Sequence, residues 1–426
     1  MGLPGFIVVS NFAVLFKHII QFYLYMKKII LLSAFVLLML SIYAQDTIHS
    51  ENKYQNTAER LLATEGKLLI GGYGEVHYNQ PLRSATKNNG SLDVHRIVMF
   101  LGYNFNKRTQ FITELEFEHV NQVAVEQAFI QYKMNQFLNL KAGLFLIPMG
   151  IINENHEPVT FFGVERPLID KTIMPSTWSE IGAGFNGNIL GASLKYQAYI
   201  VNGVNSFDNQ GELDGKNGLR NGRQEGGEMF VSSPDYTGKV EYYGIRGLNI
   251  GLSGFFGKTE SSKFNGIDRH DQSALAAADS SVVGISMVGL DARYGKNGLQ
   301  LRGQLYYVGI SNSNQYNVLT ARNNQLNDLG KSMLGYYVEA GYNVLHFSKN
   351  TENELIPFIR LESYNTHHTV ATNILKNKAY DVNVITAGIN YKLAKGVVIK
   401  ADVQFSKPQS DHVYSKTFNA GFGLMF

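Results

Sequence analysis

Residues 397–406 read Val-Val-Ile-Lys-Ala-Asp-Val-Gln-Phe-Ser, with apolar side chains at every odd position and polar ones at even positions from Lys400 onward. Successive side chains of a β-strand point to opposite faces of a sheet, so this period of two predicts a strand with one apolar and one hydrated face. Residues 299–307 repeat the pattern around Gly303. The chain therefore predicts strands whose two faces meet different environments.

The same period recurs in sixteen segments of about ten residues. They begin near Lys67, Leu92, Thr109, Val123, Phe137, Trp178, Leu190, Asp235, Leu248, Val282, Gly298, Ser332, Glu354, Ala379, Gly396 and Ser415. Tight polar or Gly-containing turns alternate with mostly longer connections, and only the short connection at 119–122 breaks this rhythm. Short turns at one end of the strands and longer loops at the other are typical of outer-membrane barrels, in which the short turns lie in the periplasm. A soluble β-sandwich is the alternative, but it would place large aliphatic residues on the apolar faces, where this chain has Gly and Ala among aromatics.

The composition excludes several other classes. The chain has 426 residues, no cysteine, 12% aromatic and 17% charged residues, and a formal charge of +3. A disulfide scaffold needs cysteine, a disordered chain needs few aromatics, and a nucleic-acid binder needs a basic stripe. After Ala44 no apolar run reaches the roughly 20 residues that a membrane helix requires.

The N-terminus carries an export signal. From Met26 a basic pair, Lys27 and Lys28, precedes a short apolar run that ends at the small residue Ala44. This order predicts a signal peptide over residues 1–44, with translation starting at Met26, rather than a membrane anchor. Removing the three lysines of that segment leaves 35 basic and 35 acidic residues. We expect residues 45–66 to form a periplasmic lead-in with one or two helical turns, and residues 67–426 to form the barrel.

The last strand carries an assembly signal. From Phe418 to Phe426, apolar residues at even positions alternate with mostly small or polar ones, and the sequence closes on an aromatic residue. Such a strand resembles the signal by which the insertion machinery recognises outer-membrane barrels, so Phe426 is predicted to be part of that assembly signal.

Several stretches resemble the phosphate-selective porin O and P family in its Bacteroidetes-type form. They are Val94-His95-Arg96 and residues 142–150, 161–167, 175–182 and 387–391. The resemblance implies a sixteen-stranded barrel, usually a homotrimer, whose third long loop folds inward and narrows the pore. Members named for phosphate line the pore with stacked arginines and lysines.

The alternation places charged side chains of both signs in the lumen, since a charge facing lipid at the midplane costs about 2–4 kcal/mol. The inward basic residues are Arg96, Lys141, Lys195, Lys239, Arg293, Arg302, Arg360 and Lys400. The inward acidic residues are Glu75, Glu114, Glu116, Glu118, Glu241, Asp291, Glu339, Glu362 and Asp402. An anion-selective pore needs charges of one sign at its constriction, and this near balance predicts none. Pairs two residues apart, such as Lys239 with Glu241, Asp291 with Arg293, Arg360 with Glu362 and Lys400 with Asp402, favour salt bridges that brace a hydrated wall.

The loop from Ile147 to Thr177 is the predicted constriction. Its charged residues are Glu154, Glu157, Glu165, Arg166, Asp170 and Lys171. We expect Arg166 and Lys171 to dock this loop on the row Glu114, Glu116 and Glu118. A divalent-cation site at that row, with His119 and His156 contributing, is the less favoured alternative, because carboxylates alternating along a strand lie too far apart to chelate one ion tightly.

The sequence predicts a passive, weakly selective porin for small hydrophilic solutes or ions, with anions such as phosphate among the candidate solutes, in the outer membrane of a Gram-negative bacterium. No catalytic motif, metal ligand set or cofactor site is predicted. The alternatives are a barrel hydrolase, for which His367 and His368 at an expected loop tip are the loosest of candidates, and a plugged structural or adhesive barrel.

Overall fold

The computed structural model describes residues 54–82, 88–229, 231–348 and 351–426. The predicted signal peptide and the upstream extension lie outside the described residues. The described strands are β1 (Leu68–Pro81), β2 (Ser91–Asn104), β3 (Thr109–Glu118), β4 (Gln122–Lys133), β5 (Asn139–Leu146), β6 (Ser179–Ile189), β7 (Leu194–Val201), β8 (Asn205–Asp208), β9 (Gln210–Gly211), β10 (Asp235–Ile245), β11 (Leu248–Lys258), β12 (Glu260–Ser261), β13 (Gly284–Lys296), β14 (Leu299–Ser311), β15 (Ser332–Tyr342), β16 (Glu354–Thr369), β17 (Asp381–Ala394), β18 (Val397–Pro408) and β19 (Ser415–Met425).

Sixteen of these strands form one closed barrel, in which each strand pairs with its neighbour along the chain and β1 pairs with β19. All of the pairs are antiparallel, and the closing pair sets Gly74 opposite Leu424. Beyond β19, Phe426 extends this pairing, because its amide donates to the Gly72 carbonyl at 2.9 Å. The predicted sixteen-stranded barrel is confirmed, and each predicted strand start lies within four residues of the observed one.

The alternation of the sequence becomes the two faces of the wall. Large apolar side chains such as Leu252, Val338 and Phe422 are about half exposed on the outside. Their neighbours along the same strands, such as Ser253, Glu339 and Gly421, face the interior. The outer face therefore suits lipid, which requires a closed sheet with no unpaired edge.

Two irregularities redirect side chains on the inner wall. Between β1 and β2 the register shifts so that Glu75 lies opposite Arg96 and Val76 opposite Val94, which leaves His95 as an extra residue. Between β3 and β4 it shifts so that Glu114 lies opposite Gln127 and Leu115 opposite Val125, which leaves Glu126 as the extra residue. A bulge of this kind re-aims one side chain and locally bends the strand.

Short elements decorate the connections. The helices are α1 (Thr57–Ala63), α2 (Ile169–Thr172), α3 (Gln272–Asp279) and α4 (Ser313–Leu319), and β8, β9 and β12 form a small separate sheet. Within the described residues, no helix combines the length and the apolar character that crossing a bilayer requires.

The lead-in forms the two helical turns that were expected, but α1 packs against the inner wall. The Asn56 side chain caps α1 by accepting from the Glu59 amide at 2.8 Å. The Glu59 carboxylate pairs with Lys195 on β7, and the carbonyl of Leu62 accepts from Gln110 on β3 at 3.0 Å. In this position α1 buries Leu61 against the wall of β1.

The interior also contains a continuous apolar cluster. It includes Ile112, Phe255, Met287 and Tyr306 on the inner faces of four strands, together with Trp178 at the end of the β5–β6 connection. Each of these side chains is fully buried. The expected hydrated wall is therefore wrong for this part of the lumen, because the β5–β6 connection packs against it and excludes water.

Candidate functional site

The β5–β6 connection, residues 147–178 and hereafter the inner loop, crosses the barrel interior. Lys239 on β10 donates to the carboxylate of Glu154 at 2.8 Å. Lys400 on β18 donates to the carbonyl of Gly163, also at 2.8 Å. Because β10 and β18 stand far apart around the barrel, these contacts place the inner loop across the lumen, as the sequence predicted.

One residue fixes the two ends of the inner loop to each other. The Asn153 side chain donates to the carbonyls of Ile147 and Trp178, and its oxygen accepts from the Trp178 amide at 2.7 Å. Asn153 is fully buried. Its three hydrogen bonds make the inner loop a rigid element rather than a loose strap.

A cavity of about 560 Å³ lies between the inner loop and the wall formed by β1 to β4. The wall contributes four carboxylates and one guanidinium to its lining, while the inner loop and the connection 212–234 contribute four cations and two carboxylates. The charged lining residues are Glu75, Arg96, Glu116, Glu118 and Glu126 on the wall, and Glu165, Arg166, Lys171, Arg220, Arg223 and Glu225 on the loops. The cavity is thus acidic on one side and basic on the other.

Arg96 organises the wall side. Its guanidinium lies 2.9 Å from the carboxylate of Glu75, 3.0 Å from that of Glu116 and 3.9 Å from that of Glu118. Arg96, Glu75 and Glu116 are all buried. One guanidinium therefore serves three carboxylates, and the wall keeps an excess of negative charge.

The loop side presents cations that carbonyl groups hold in place. Arg220 donates to the carbonyl of Ser176 at 2.9 Å, Arg223 to that of Thr177 at 3.2 Å, and Arg166 to that of His156 at 3.1 Å. Burial and the neighbouring Arg223 lower the pKa of Arg220 to about 10. Among the described residues, Arg166 and Arg220 make no ion pair, so their charge faces the cavity.

The six predicted constriction residues divide into two groups. Glu165, Arg166 and Lys171 line the cavity. Glu154, Glu157 and Asp170 are buried against other parts of the lumen instead. Glu157 accepts from the amide of Thr57 at 2.7 Å, and Asp170 accepts from Gln304 at 2.7 Å. These three carboxylates anchor the inner loop and do not line the cavity.

The seventeen charged side chains predicted to face the lumen all lie on the inner face, but several of their partners differ from those expected. Lys239 and Arg360 do approach Glu241 and Glu362 of their own strands, at 3.6 and 3.9 Å. Arg293 instead contacts Glu241 two strands away, at 2.9 Å. The other contacts are Arg302 with Glu339 at 3.4 Å, Lys400 over the Phe161 ring at 3.7 Å and Lys141 over the Phe129 ring at 3.9 Å. The predicted bracing role is therefore shared by neighbouring strands, inner-loop carbonyls and aromatic rings.

The predicted dock is wrong in its partners. Glu116 is held by Arg96 rather than by Arg166, and Lys171 is exposed and forms no ion pair within the described residues. Glu114 instead faces His156 of the inner loop at 3.6 Å. The inner loop docks through its backbone and through its buried carboxylates.

Sequence reasoning missed several ionisable residues of the cavity, four of which show why. His95 and Glu126 enter the lining because of the two bulges, and strict alternation gave no signal for either side chain. Arg220 and Arg223 arrive from a connection with no regular period. The two arginines within four residues were a usable signal, but only the folded connection brings them to the inner loop.

His367 is also placed differently from the prediction. It lies on β16, is fully buried, and contacts the carbonyl of Asp328 through Nε2. Its Nδ1 accepts from the amide of Asn377 at 3.0 Å. Both ring nitrogens are thus occupied by backbone groups, and the expected position at a loop tip is wrong for His367.

No family model matches the sequence. A protein of Aquifex aeolicus (strain VF5) that carries the description "Uncharacterized protein" is 32% identical over 359 residues, which cover 81% of this chain and 77% of that protein.

Among solved structures, the fold is similar to that of porins. Salmonella typhi OmpF in complex with daunomycin gives a TM-score of 0.53 at 13% identity, covering 84% of this chain and 97% of that one. The anion-selective porin from Comamonas acidovorans gives 0.50 at 13% identity, covering 85% and 100%. The trimer form of OmpT, an outer membrane protein of Vibrio cholerae, gives 0.51 at 12% identity, covering 85% and 100%. At such identities the similarity establishes the fold alone.

Proposed function

The chain belongs to the same family as the Aquifex aeolicus protein, and from its porin-like barrel we propose that it is an outer-membrane porin of a Gram-negative bacterium that lets small hydrophilic solutes and ions diffuse passively. The observation that carries the proposal is the charged cavity of about 560 Å³ between the inner loop and the wall. A closed barrel with an apolar outside supports the membrane location. A polar cavity beside an inward loop supports passage of hydrated solutes.

The charge distribution supports weak selectivity. The two sides of the cavity carry opposite net charge, so neither cations nor anions meet a ring of one sign. The electric field between the two oppositely charged sides of the cavity orients polar solutes but excludes neither cations nor anions. Three cations, Arg166, Lys171 and Arg220, face the cavity and would attract anions such as phosphate. The resemblance to the phosphate-selective porins supports the same class of solute.

We also propose a homotrimer that acts without catalysis or cofactor. The resemblance favours three copies, and the Vibrio cholerae neighbour has been observed as a trimer. Entry into the membrane would rely on the insertion machinery recognising the last strand.

A plugged structural barrel is the second candidate. The buried apolar cluster of the lumen favours it, because Trp178, Phe255 and Tyr306 leave that part of the interior closed to water. The two candidates differ in whether the cavity is continuous from one rim to the other.

Conductance in planar bilayers tests the proposal. The protein should give ohmic steps, and reversal potentials across a KCl gradient should show weak preference. Arg166→Ala removes a charge that acts on a passing ion with about 1 kcal/mol at 4 Å in water, so cation preference should rise by up to roughly fivefold. Arg302→Ala is the matched control, because Arg302 faces the lumen away from the cavity and pairs with Glu339.

If the correctly folded barrel gives no conductance steps, the result would support the plugged structural barrel instead. Equal reversal potentials for the wild-type protein and Arg166→Ala would place the conducting path elsewhere. Strong anion preference that micromolar phosphate blocks would contradict weak selectivity and support a phosphate channel.

A further inference from the structure

Three ligand-type side chains meet where the inner loop touches β3 and β4. They are Glu114 of β3, Glu126 of β4 and His156 of the inner loop, and one atom of each lies within 4.8 Å of the others. All three side chains are more than nine-tenths buried. From this geometry we propose that Glu114, Glu126 and His156 bind one divalent transition-metal ion, which fastens the inner loop to the barrel wall.

The distances suit coordination better than hydrogen bonding. His156 Nε2 lies 3.6 Å from Glu114 Oε1 and 3.5 Å from Glu126 Oε2. Both separations are longer than the usual N–H···O distance of about 2.9–3.0 Å. Two ligands that each lie about 2.0–2.1 Å from a tetrahedral Zn²⁺ are separated by roughly 3.3–3.4 Å. The two histidine–carboxylate separations therefore match those of ligands around a common centre, and the two carboxylates lie within 4.8 Å of each other.

The ligand atoms of Glu126 and His156 also lack hydrogen-bond partners in the described part of the chain. Within the described residues, neither carboxylate oxygen of Glu126 has a hydrogen-bond partner, and the Nε2 of His156 has none either. A buried carboxylate without a donor costs several kcal/mol in proteins, so such groups are found paired or bound to metals. Glu126 reaches this position only because of the β3–β4 bulge, which turns it toward the interior beside Gln127.

Neighbouring groups orient the ligands as outer-shell partners of metal sites do. His156 Nδ1 lies 3.1 Å from the carbonyl of Asn153, and a proton on Nδ1 leaves the lone pair of Nε2 facing the carboxylates. Gln127 donates to Glu114 Oε2 at 2.6 Å, and the Tyr73 hydroxyl to Glu114 Oε1 at 3.3 Å. Two of the three ligands, Glu114 and His156, are thus oriented by a second group.

Charge favours a divalent ion over a proton. With a neutral imidazole the cluster carries two negative charges, and a protonated His156 would still leave one uncompensated. The guanidinium of Arg96 is committed to Glu75 and Glu116, and that of Arg166 donates to the backbone carbonyl of His156 rather than to either carboxylate. A divalent cation neutralises the two carboxylates, and the imidazole favours Zn²⁺ and similar transition metals over Mg²⁺ or Ca²⁺. Three protein ligands leave one position for water.

Equilibrium dialysis of the folded, detergent-solubilised protein against Zn²⁺ alone, followed by elemental analysis, tests the proposal. The full chain should retain one Zn²⁺ per barrel. Glu126→Gln and His156→Gln should lose that equivalent, while Gln127→Ala, which removes only an orienting hydrogen bond, should weaken binding roughly 10- to 100-fold. Heat-modifiable migration checks that each variant has formed the barrel.

His119→Gln is the matched control. His119 belongs to a second group, with Asp93 and His95, that is partly exposed and already paired, since His119 contacts Asp93 at 2.6 Å. This variant should retain its Zn²⁺. Retention by folded Glu126→Gln, or loss from His119→Gln, would overturn the assignment, as would failure of the wild-type protein to keep Zn²⁺ at all. Because metal content is measured without conduction, these outcomes are independent of the porin proposal.

Discussion

Replacing Lys239 by Met should destabilise the barrel more than any other single loss of a lumen charge. Lys239 is 2% exposed and donates to the carbonyl of Gly150 at 2.6 Å. It also lies 2.8 Å from Glu154 and 3.6 Å from both Glu241 and Asp291. Methionine keeps the volume of the stem and removes the charge, so the variant isolates the electrostatic contribution.

The cost of this change falls on Asp291. Glu154 keeps its hydrogen bond from Gln197, and Glu241 keeps Arg293. Asp291 is 1% exposed. Within the described residues it forms no ion pair other than that with Lys239, and neither of its carboxylate oxygens has a hydrogen-bond partner. Breaking a buried pair so that one charge stays unpaired costs about 3–5 kcal/mol. We therefore expect the free energy of unfolding to fall by about 3–5 kcal/mol.

Urea unfolding in detergent, followed by tryptophan fluorescence, measures this loss. Trp178 is the sole tryptophan of the chain and is fully buried beside the inner loop, so its emission reports the packed lumen. Asp291→Asn in the Lys239→Met background should recover most of the loss, because it removes the unpaired charge. Lys195→Met is the matched control. Lys195 is partly exposed and pairs with Glu59 of α1, so its removal should cost less.

The reasoning is refuted if Lys239→Met lowers the free energy of unfolding by less than about 1 kcal/mol, the range of a solvent-exposed pair. It is also refuted if Asp291→Asn brings no recovery. Either result would mean that water reaches this ion pair.

Three further predictions concern pH, assembly and topology. Burial raises the pKa of Asp170 in α2 to about 8 although Gln304 and Tyr306 donate to it, so the folded chain keeps a proton that the unfolded chain loses near pH 4. The free energy of unfolding should therefore fall as pH rises from about 4 to 8. Asp170→Asn should reduce that slope in urea titrations, and an unchanged slope would contradict the assignment. Deleting Phe426 should reduce the heat-modifiable, inserted form without stopping export, and full insertion would make the terminal aromatic incidental. A cysteine at exposed Asn314 should be labelled from outside intact cells and one at exposed Asn297 should not, and the opposite pattern would invert the proposed topology.

The strands and their faces are determined by the sequence, because alternation is local. A side chain two positions along a strand returns to the same face whatever the rest of the chain does, so the starts of sixteen strands and the inward position of residues such as Arg360 and Lys400 could be read directly. The inward course of the inner loop was likewise expected, from the resemblance carried by its Phe161–Pro167 stretch.

Partners and exceptions were decided by the tertiary structure. Arg293 could be assigned to the lumen, but which carboxylate it contacts depends on the closure and curvature of the barrel, which bring Glu241 from two strands away. Glu126 enters the lumen through a bulge, and a bulge changes the face of a residue without changing the period of its flanks. Arg220 reaches the cavity from an irregular connection, and α1 enters the barrel through contacts more than a hundred residues apart in sequence. Such contacts form only when distant segments are brought together, and no local pattern encodes them.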